Sequence, residues 1–412
     1  MIVKRHPETR DFRSFLIVGN LAEKSSWVKC KIRLKIGINK GKIVMALEIN
    51  ALPLRQKVGQ LFFIGIAGPT LDAATRELLD DVQPGGICLF ARNIKEAVQT
   101  RDLLDEIRLI LPLKPFLSLD QEGGLVDRLR RILTPMPSAS KMRTAGDAKK
   151  LAGFIAESAR MFGFNTDFAP VIDVIDNNRE KETNGIYSRA FGRNVVHSID
   201  FAEAFLAELQ TGGIVGCLKH FPGLGAATVD SHMELPFVEI SDEELDQTDL
   251  APYRSASLNS NAGFVMAAHA TFPQSRLQER DADGKLKPSS LSHNFITKLL
   301  RDDIGFQGIA ITDDLEMGAI VKNYGIEAAC VMAINAGQDM LAICAEASHI
   351  RNGRDAVLRA VKSGLIAESR IVESIERINK VRSRLSDPTK LDLARLAEIS
   401  IEIAEFNTYL NR

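Results

Sequence analysis

The feature that most constrains this chain is a repeated alternation. Short apolar, β-branched runs at residues 59–66, 86–90, 116–120, 165–169, 215–219, 264–267, 308–312 and 340–343 are separated by longer segments. Six of those segments, 94–110, 149–162, 196–210, 242–258, 293–303 and 316–336, space their apolar positions as one face of a helix does. Strands separated by helices require crossover connections, which lay helices on the faces of a parallel sheet. Eight such units predict an α/β chain folded as a closed (β/α)8 TIM-type barrel rather than an open doubly wound sheet. Two further helical stretches, 367–384 and 391–405, follow the eighth run, with Asp387-Pro388 as a break between them. They are expected to pack outside the barrel as part of the same single domain.

Composition narrows the function classes. Of the 412 residues 45% are hydrophobic and 25% charged, and the formal net charge is −1. That is the balance of a globular protein with a sizeable core, and it offers no whole-chain attraction for nucleic acid or an anionic membrane. Residues 1–44 differ: they hold eleven Lys/Arg against Glu8, Asp11 and Glu23. No aromatic interleaving or amphipathic period accompanies this charge. Residues 1–44 are therefore expected to be a basic, poorly ordered extension, and residues 45–412 the barrel domain. The apolar run at 15–19 is too short for a secretory signal core, and no run approaches the ~18 apolar residues of a membrane span. The five cysteines (Cys30, Cys88, Cys217, Cys330 and Cys344) are scattered without CxxC or Cys/His ligand spacing. The expectation is a cytoplasmic protein without a disulfide framework or metal site.

In a barrel of this type, reactive groups stand at the C-terminal ends of the strands and on the loops that follow. Four run ends carry ionisable residues that an apolar strand does not need: Asp120, Lys219-His220, His269 and Asp313-Asp314. Of the adjacent acids, Asp313 directly ends its run and is assigned to the pocket, where an ionised carboxylate can attack an electrophilic carbon. Asp314 is left to start the next helix, although either residue alone also suits a helix cap. The segment KHFPGLGAATVDSHMELP opens at a strand end, crosses a Gly/Pro-rich stretch and closes on Asp230 and His232. A carboxylate two residues from an imidazole can orient it and raise its pKa, as a general acid/base near neutral pH requires; a surface His beside a capping Asp has the same spacing. In SLDQEGGLVDRLR, Asp120 and Arg128 flank Gly123-Gly124 and suit either vicinal hydroxyls or a salt bridge closing the loop. Arg189, in YSRAFGRN, adds a further cation.

Together these blocks, with DFAPVIDV, SRAFG and GIAITDDLEM, resemble glycoside hydrolase family 3, and within it the bacterial β-N-acetylglucosaminidases of peptidoglycan recycling. The similarity runs from about Leu52 to Leu385. The resemblance implies a retaining exo-hydrolase that releases β-linked N-acetylglucosamine from cell-wall muropeptide fragments through a glycosyl-enzyme. It implies Asp313 as nucleophile and Asp230/His232 as the acid/base dyad. Asp120, Arg128, Arg189, Lys219 and His220 would then bind the sugar. No metal or organic cofactor and no macromolecular partner is implied. Leu125 stands where the family commonly has Arg, and Leu224 where it has His, with Ala226 shortly after. These departures bear on loop closure and on what lies beyond the first sugar.

Three other readings share these residues. Phosphorolysis is open because an imidazole acid/base tolerates an incoming phosphate better than a carboxylate does. A family 3 β-glucosidase would share the barrel. A sugar-binding protein without catalysis belongs to another class and would ordinarily lack Asp313 or the dyad, both of which are present.

Overall fold

The computed structural model describes residues 34–39, 42–47, 52–176, 179–182, 186–227 and 235–412. The chain divides into two compact units between Ala51 and Leu52. In the first, β1 (Leu34–Asn39) and β2 (Lys42–Leu47) form an antiparallel ribbon, with Leu34 opposite Leu47 and Asn39 opposite Lys42.

The second unit is built on eight parallel strands: β3 (Phe62–Gly65), β4 (Gly86–Cys88), β5 (Phe116–Leu119), β8 (Thr166–Asp167), β9 (Val215–Phe221), β10 (Phe264–Ala267), β11 (Ile309–Asp314) and β12 (Met340–Ile343). β12 pairs back onto β3 and closes the barrel. All eight expected runs supply a strand, in the expected order. A two-stranded ribbon, β6 (Gln121–Gly123) with β7 (Val126–Asp127), interrupts the series just beyond β5. Among the described residues no helix is long and apolar enough to cross a membrane.

Local chemistry sets the boundaries. The helix Ala145–Phe162 starts on Thr144, whose hydroxyl accepts from the Asp147 amide while Asp147 reaches back, and it ends at Gly163 with φ +106°. Three segments differ from their sequence periodicity. The run at 59–66 begins in a helix, Leu54–Gly59, and becomes a strand only at Phe62. Gly59 lies so close to the next layer that a Cβ would stand 2.0 Å from the Val82 carbonyl oxygen. The stretch at 316–336 is broken into Gly318–Val321 and Ile326–Ala336, with Gly325 at φ +70° between them. The stretch at 242–258 is a chain of short helical turns around Pro252.

The lower barrel is filled by aromatic rings. Phe63 meets Phe168 at 4.9 Å between ring centroids, and Phe116 meets Phe264 edge-on at 5.1 Å. Gly86 makes room for this cluster, since a Cβ there would stand 2.4 Å from the Phe63 ring. At the N-terminal end of β12, buried Asp339 gathers Arg301, Arg370 and Arg377, which ties the barrel floor to the helix Glu368–Arg382. The last helix, Leu393–Leu410, packs outside, with Phe406 against Phe154 at 5.9 Å. Cys88, Cys217, Cys330 and Cys344 are buried free thiols.

Candidate active site

The opposite end of the barrel opens into a cavity of about 210 Å³. Six of the eight expected site residues line it: Asp120, Arg128, Arg189, Lys219, His220 and Asp313. The other two, Asp230 and His232, lie outside the described residues. Lys219 and His220 are consecutive in β9, yet both side chains face the cavity, and the peptide between them is cis.

Much of the cavity's electrostatics is organised by a residue the sequence reading passed over. The Glu122 side chain, on β6, is 2% exposed and takes two of the site's three cations, Arg189 and Lys219. Its Oε2 accepts from Arg189 Nε at 2.8 Å, and its Oε1 accepts from Arg189 Nη2 at 2.9 Å and from Lys219 Nζ at 2.7 Å. Burial alone would push the Glu122 carboxyl up, but the Arg189 and Lys219 charges outweigh it and hold the group well below the usual carboxylate range. The same pairing acts in reverse on Lys219. Burial favours its neutral form, while Asp120 and Glu122 more than offset this and keep the ammonium charged.

Asp120 makes the pair with Arg128 that the sequence offers, and a closer one with Lys219. Its Oδ1 accepts from Lys219 Nζ at 2.9 Å, whereas Arg128 Nη2 is 3.6 Å from Oδ2. Arg128 lies over the Phe90 ring at 5.7 Å from its centroid. Behind this layer, Asp167 on β8 is fully buried, accepts from the Gln121 amide at 2.9 Å, and its other oxygen finds no partner among the described residues. Burial drives this carboxyl well above its ordinary range.

His220 is fixed from behind by Asp173, also absent from the expected set although it lies in the DFAPVIDV block. Asp173 Oδ2 is 2.8 Å from His220 Nδ1, and its Oδ1 accepts from the Leu224 amide at 2.7 Å. One carboxylate therefore orients the imidazole and pins the start of the loop that leads towards Asp230. The opposite ring nitrogen of His220 lies 3.3 Å from Arg189 Nη2. Leu224 is buried and lines the cavity, while Leu125, on the turn between β6 and β7, is 68% exposed.

Asp313 closes the floor at the end of β11. Burial pushes its carboxyl up, but His269, His220, the Asp314 amide and Lys219 together leave it below the ordinary value. Its Oδ1 accepts from the Asp314 amide at 2.8 Å. Asp314 behaves oppositely: burial, with the neighbouring Glu316 and Asp313 charges, pushes it up to about 7. Asp314 does not cap a helix starting at Glu316, as the sequence reading expected. It accepts from the Glu316 amide at 3.0 Å in a turn, and the helix begins at Gly318. Two adjacent carboxyls at one strand mouth are thus shifted in opposite directions, Asp313 below its ordinary value and Asp314 up to about 7. Glu316 clasps the loop after β12, accepting from the Glu346 amide at 2.9 Å and pairing with His349 at 2.7 Å. Among the described residues no group of three or more His, Cys, Asp or Glu side chains converges as metal ligands do.

The pocket at the C-terminal mouth of this closed barrel thus sets a half-buried carboxylate, held below its ordinary pKa, among cations and acids. Residues 53–381 match the glycosyl hydrolase family 3 N terminal domain. The chain belongs to this family. Its relatives include a β-hexosaminidase of Stenotrophomonas maltophilia (strain K279a), 30% identical over 308 residues, covering 71% of this chain and 88% of the relative. β-Hexosaminidase A of Pseudoalteromonas piscicida is 30% identical over 342 residues, 77% of this chain, which spans only 56% of that longer relative. A family 3 β-N-acetylglucosaminidase from Paenibacillus sp. str. FPU-7 superposes with a TM-score of 0.77 at 34% identity, covering 86% of this chain and 69% of the other. The (β/α)8 barrel and the family expected from the sequence both stand.

Proposed function

We propose that this family 3 enzyme is a retaining exo-β-N-acetylglucosaminidase that releases β-linked N-acetylglucosamine from peptidoglycan fragments in the cytoplasm. The observation that carries the reading is Asp313: a half-buried carboxylate, held below its ordinary pKa at the mouth of β11, in the cavity that Asp120, Arg128, Arg189, Lys219 and His220 also line. The names of its relatives, β-hexosaminidase and β-N-acetylglucosaminidase, support the sugar class.

In this reading Asp313 attacks the anomeric carbon as the glycosidic bond breaks, and His232, oriented by Asp230, gives its proton to the leaving oxygen. His232 then takes a proton from water, which releases the sugar with its configuration retained. The charged cluster of Asp120, Arg128, Lys219 and Arg189 binds the hydroxyls and acetamido group, and Glu122 holds Lys219 and Arg189 in place. The balance closes with water alone, so no cofactor is invoked.

The test is hydrolysis of a chromogenic β-N-acetylglucosaminide set beside the matching β-glucoside, for wild type and Asp313→Ala. Release from the acetamido substrate only, lost in the variant, is the expected result. Preference for the glucoside would make the enzyme a β-glucosidase, and silence on both by a folded protein would make it a sugar-binding protein.

A further inference from the structure

One buried imidazole beside the cavity floor does more than lower the Asp313 carboxyl. His269 lies two residues beyond β10 and is fully buried. Its Nε2 is 3.1 Å from the Asp314 carbonyl oxygen. A carbonyl only accepts, so Nε2 carries the hydrogen and donates. Its Nδ1 is 2.7 Å from Ser290 Oγ, a hydroxyl that serves either protonation state of the ring. Ser290 donates its amide to the Ala268 carbonyl at 3.2 Å. The adjacent Ser289 donates through Oγ to the Ala268 carbonyl at 2.7 Å and through its amide to the Ala270 carbonyl at 2.7 Å. Gln338 donates to the Ser290 carbonyl at 3.1 Å. The chain around residue 290 is thus a rigid shelf under the imidazole.

The backbone of Asp314 is consequently held from both sides. Its N–H is given to the Asp313 carboxylate at 2.8 Å, and its carbonyl is taken by His269. Only the φ and ψ of one residue separate those two groups. A rotation that swings the carbonyl away from His269 also turns the amide that fixes the Asp313 carboxylate. The same carbonyl also accepts from the Met317 amide at 3.0 Å, and His269 adds its one side-chain donor among the described residues.

We propose that His269, braced by Ser290, is a positioning residue for the nucleophile: it locks the Asp314 peptide and so fixes the direction in which the Asp313 carboxylate faces the sugar. The inference rests on Asp313 being the nucleophile. A misplacement of about 1 Å at a reacting atom costs on the order of 10²-fold in rate without weakening ground-state binding. The effect therefore falls on kcat and spares KM.

The experiment measures kcat and KM on a chromogenic β-N-acetylglucosaminide for wild type, His269→Leu, His269→Gln and Ser290→Ala, with thermal melts of each. The expected result is a kcat loss of about 10²-fold in His269→Leu at unchanged KM. Recovery of most of that loss is expected in His269→Gln, whose amide can donate to the same carbonyl, with a loss of about tenfold in Ser290→Ala. A merely structural histidine would lower the melting temperature without this split and without rescue by Gln. If His269→Leu does not fold, Ser290→Ala decides: an intact kcat overturns the proposal, and a selective kcat loss supports it. An active wild type with unaltered kcat in the His269 variants overturns this inference alone. A wild type silent on every aryl glycoside overturns the functional reading and this inference with it.

Discussion

Glu122→Ala is the most informative perturbation of the site. The wild-type carboxylate accepts three charge-assisted hydrogen bonds, two from Arg189 and one from Lys219, in a place where Glu122 and Lys219 are each 2% exposed. Truncation leaves Arg189 without its carboxylate and Lys219 with Asp120 alone. Removing one partner of a buried pair costs about 3–5 kcal/mol, because the remaining charge stays desolvated. Arg189 is partly open to the cavity, so water can recover some of that cost, and a loss of about 3 kcal/mol is expected at pH 7. The sign of its pH dependence follows from the shift. Glu122 titrates below its unfolded value, so its contribution is complete above the ordinary carboxylate range and disappears as pH falls through the folded value. The gap between wild type and variant is therefore level from about pH 5 to 8 and narrows only in acid. Urea melts followed by far-UV circular dichroism are the assay, since the single tryptophan, Trp27, precedes the barrel. A loss below about 1 kcal/mol at pH 7 with an unchanged m value would refute the claim that Glu122 is the keystone of this cluster.

Three further outcomes are expected. Asp173→Asn weakens the grip on both His220 Nδ1 and the Leu224 amide, so kcat/KM should fall by about 10²-fold while the melting temperature changes little. An unchanged kcat/KM would show that His220 does not depend on this carboxylate. Asp314 titrates near 7, so the wild type loses stability relative to Asp314→Asn as pH rises from about 4 to 7. Paired chemical melts at pH 5 and 8 should show the variant gaining about 3 kcal/mol between them, and no relative gain would mean that Asp314 ionises normally. Gly86→Ala drives a methyl group to within 2.4 Å of the Phe63 ring and should cost about 1–3 kcal/mol, read as a drop in melting temperature.

Much of this architecture was legible in the residues because barrel strands, buried on both faces, write themselves as continuous apolar runs. The run at 340–343 and the strand Met340–Ile343 coincide, and the run at 308–312 differs from Ile309–Asp314 only at its ends. Boundaries failed where tertiary crowding overrode periodicity, as at Gly59, or where a glycine turn split one helical pattern in two, as at Gly325. At the site, residues that end strands were readable because an apolar strand has no use for them: Asp120, Lys219, His220 and Asp313. Glu122, Asp173 and the bracing role of His269 were not. Their importance lies in which distant side chain each one meets, 67 residues away for Glu122 and Arg189, and no local spacing encodes that. The opposite shifts of Asp313 and Asp314 are likewise a property of their surroundings, since the two are adjacent and chemically identical.

The central claim, that Asp313 forms a covalent bond to the sugar, is tested most directly by trapping. A slow 5-fluoro β-N-acetylglucosaminyl fluoride should load the enzyme with one sugar, and peptide mapping by mass spectrometry should place it on the peptide carrying Asp313, with no adduct in Asp313→Ala. An adduct on another carboxylate, or turnover of the reagent by the wild type with inverted anomeric configuration, would contradict the account.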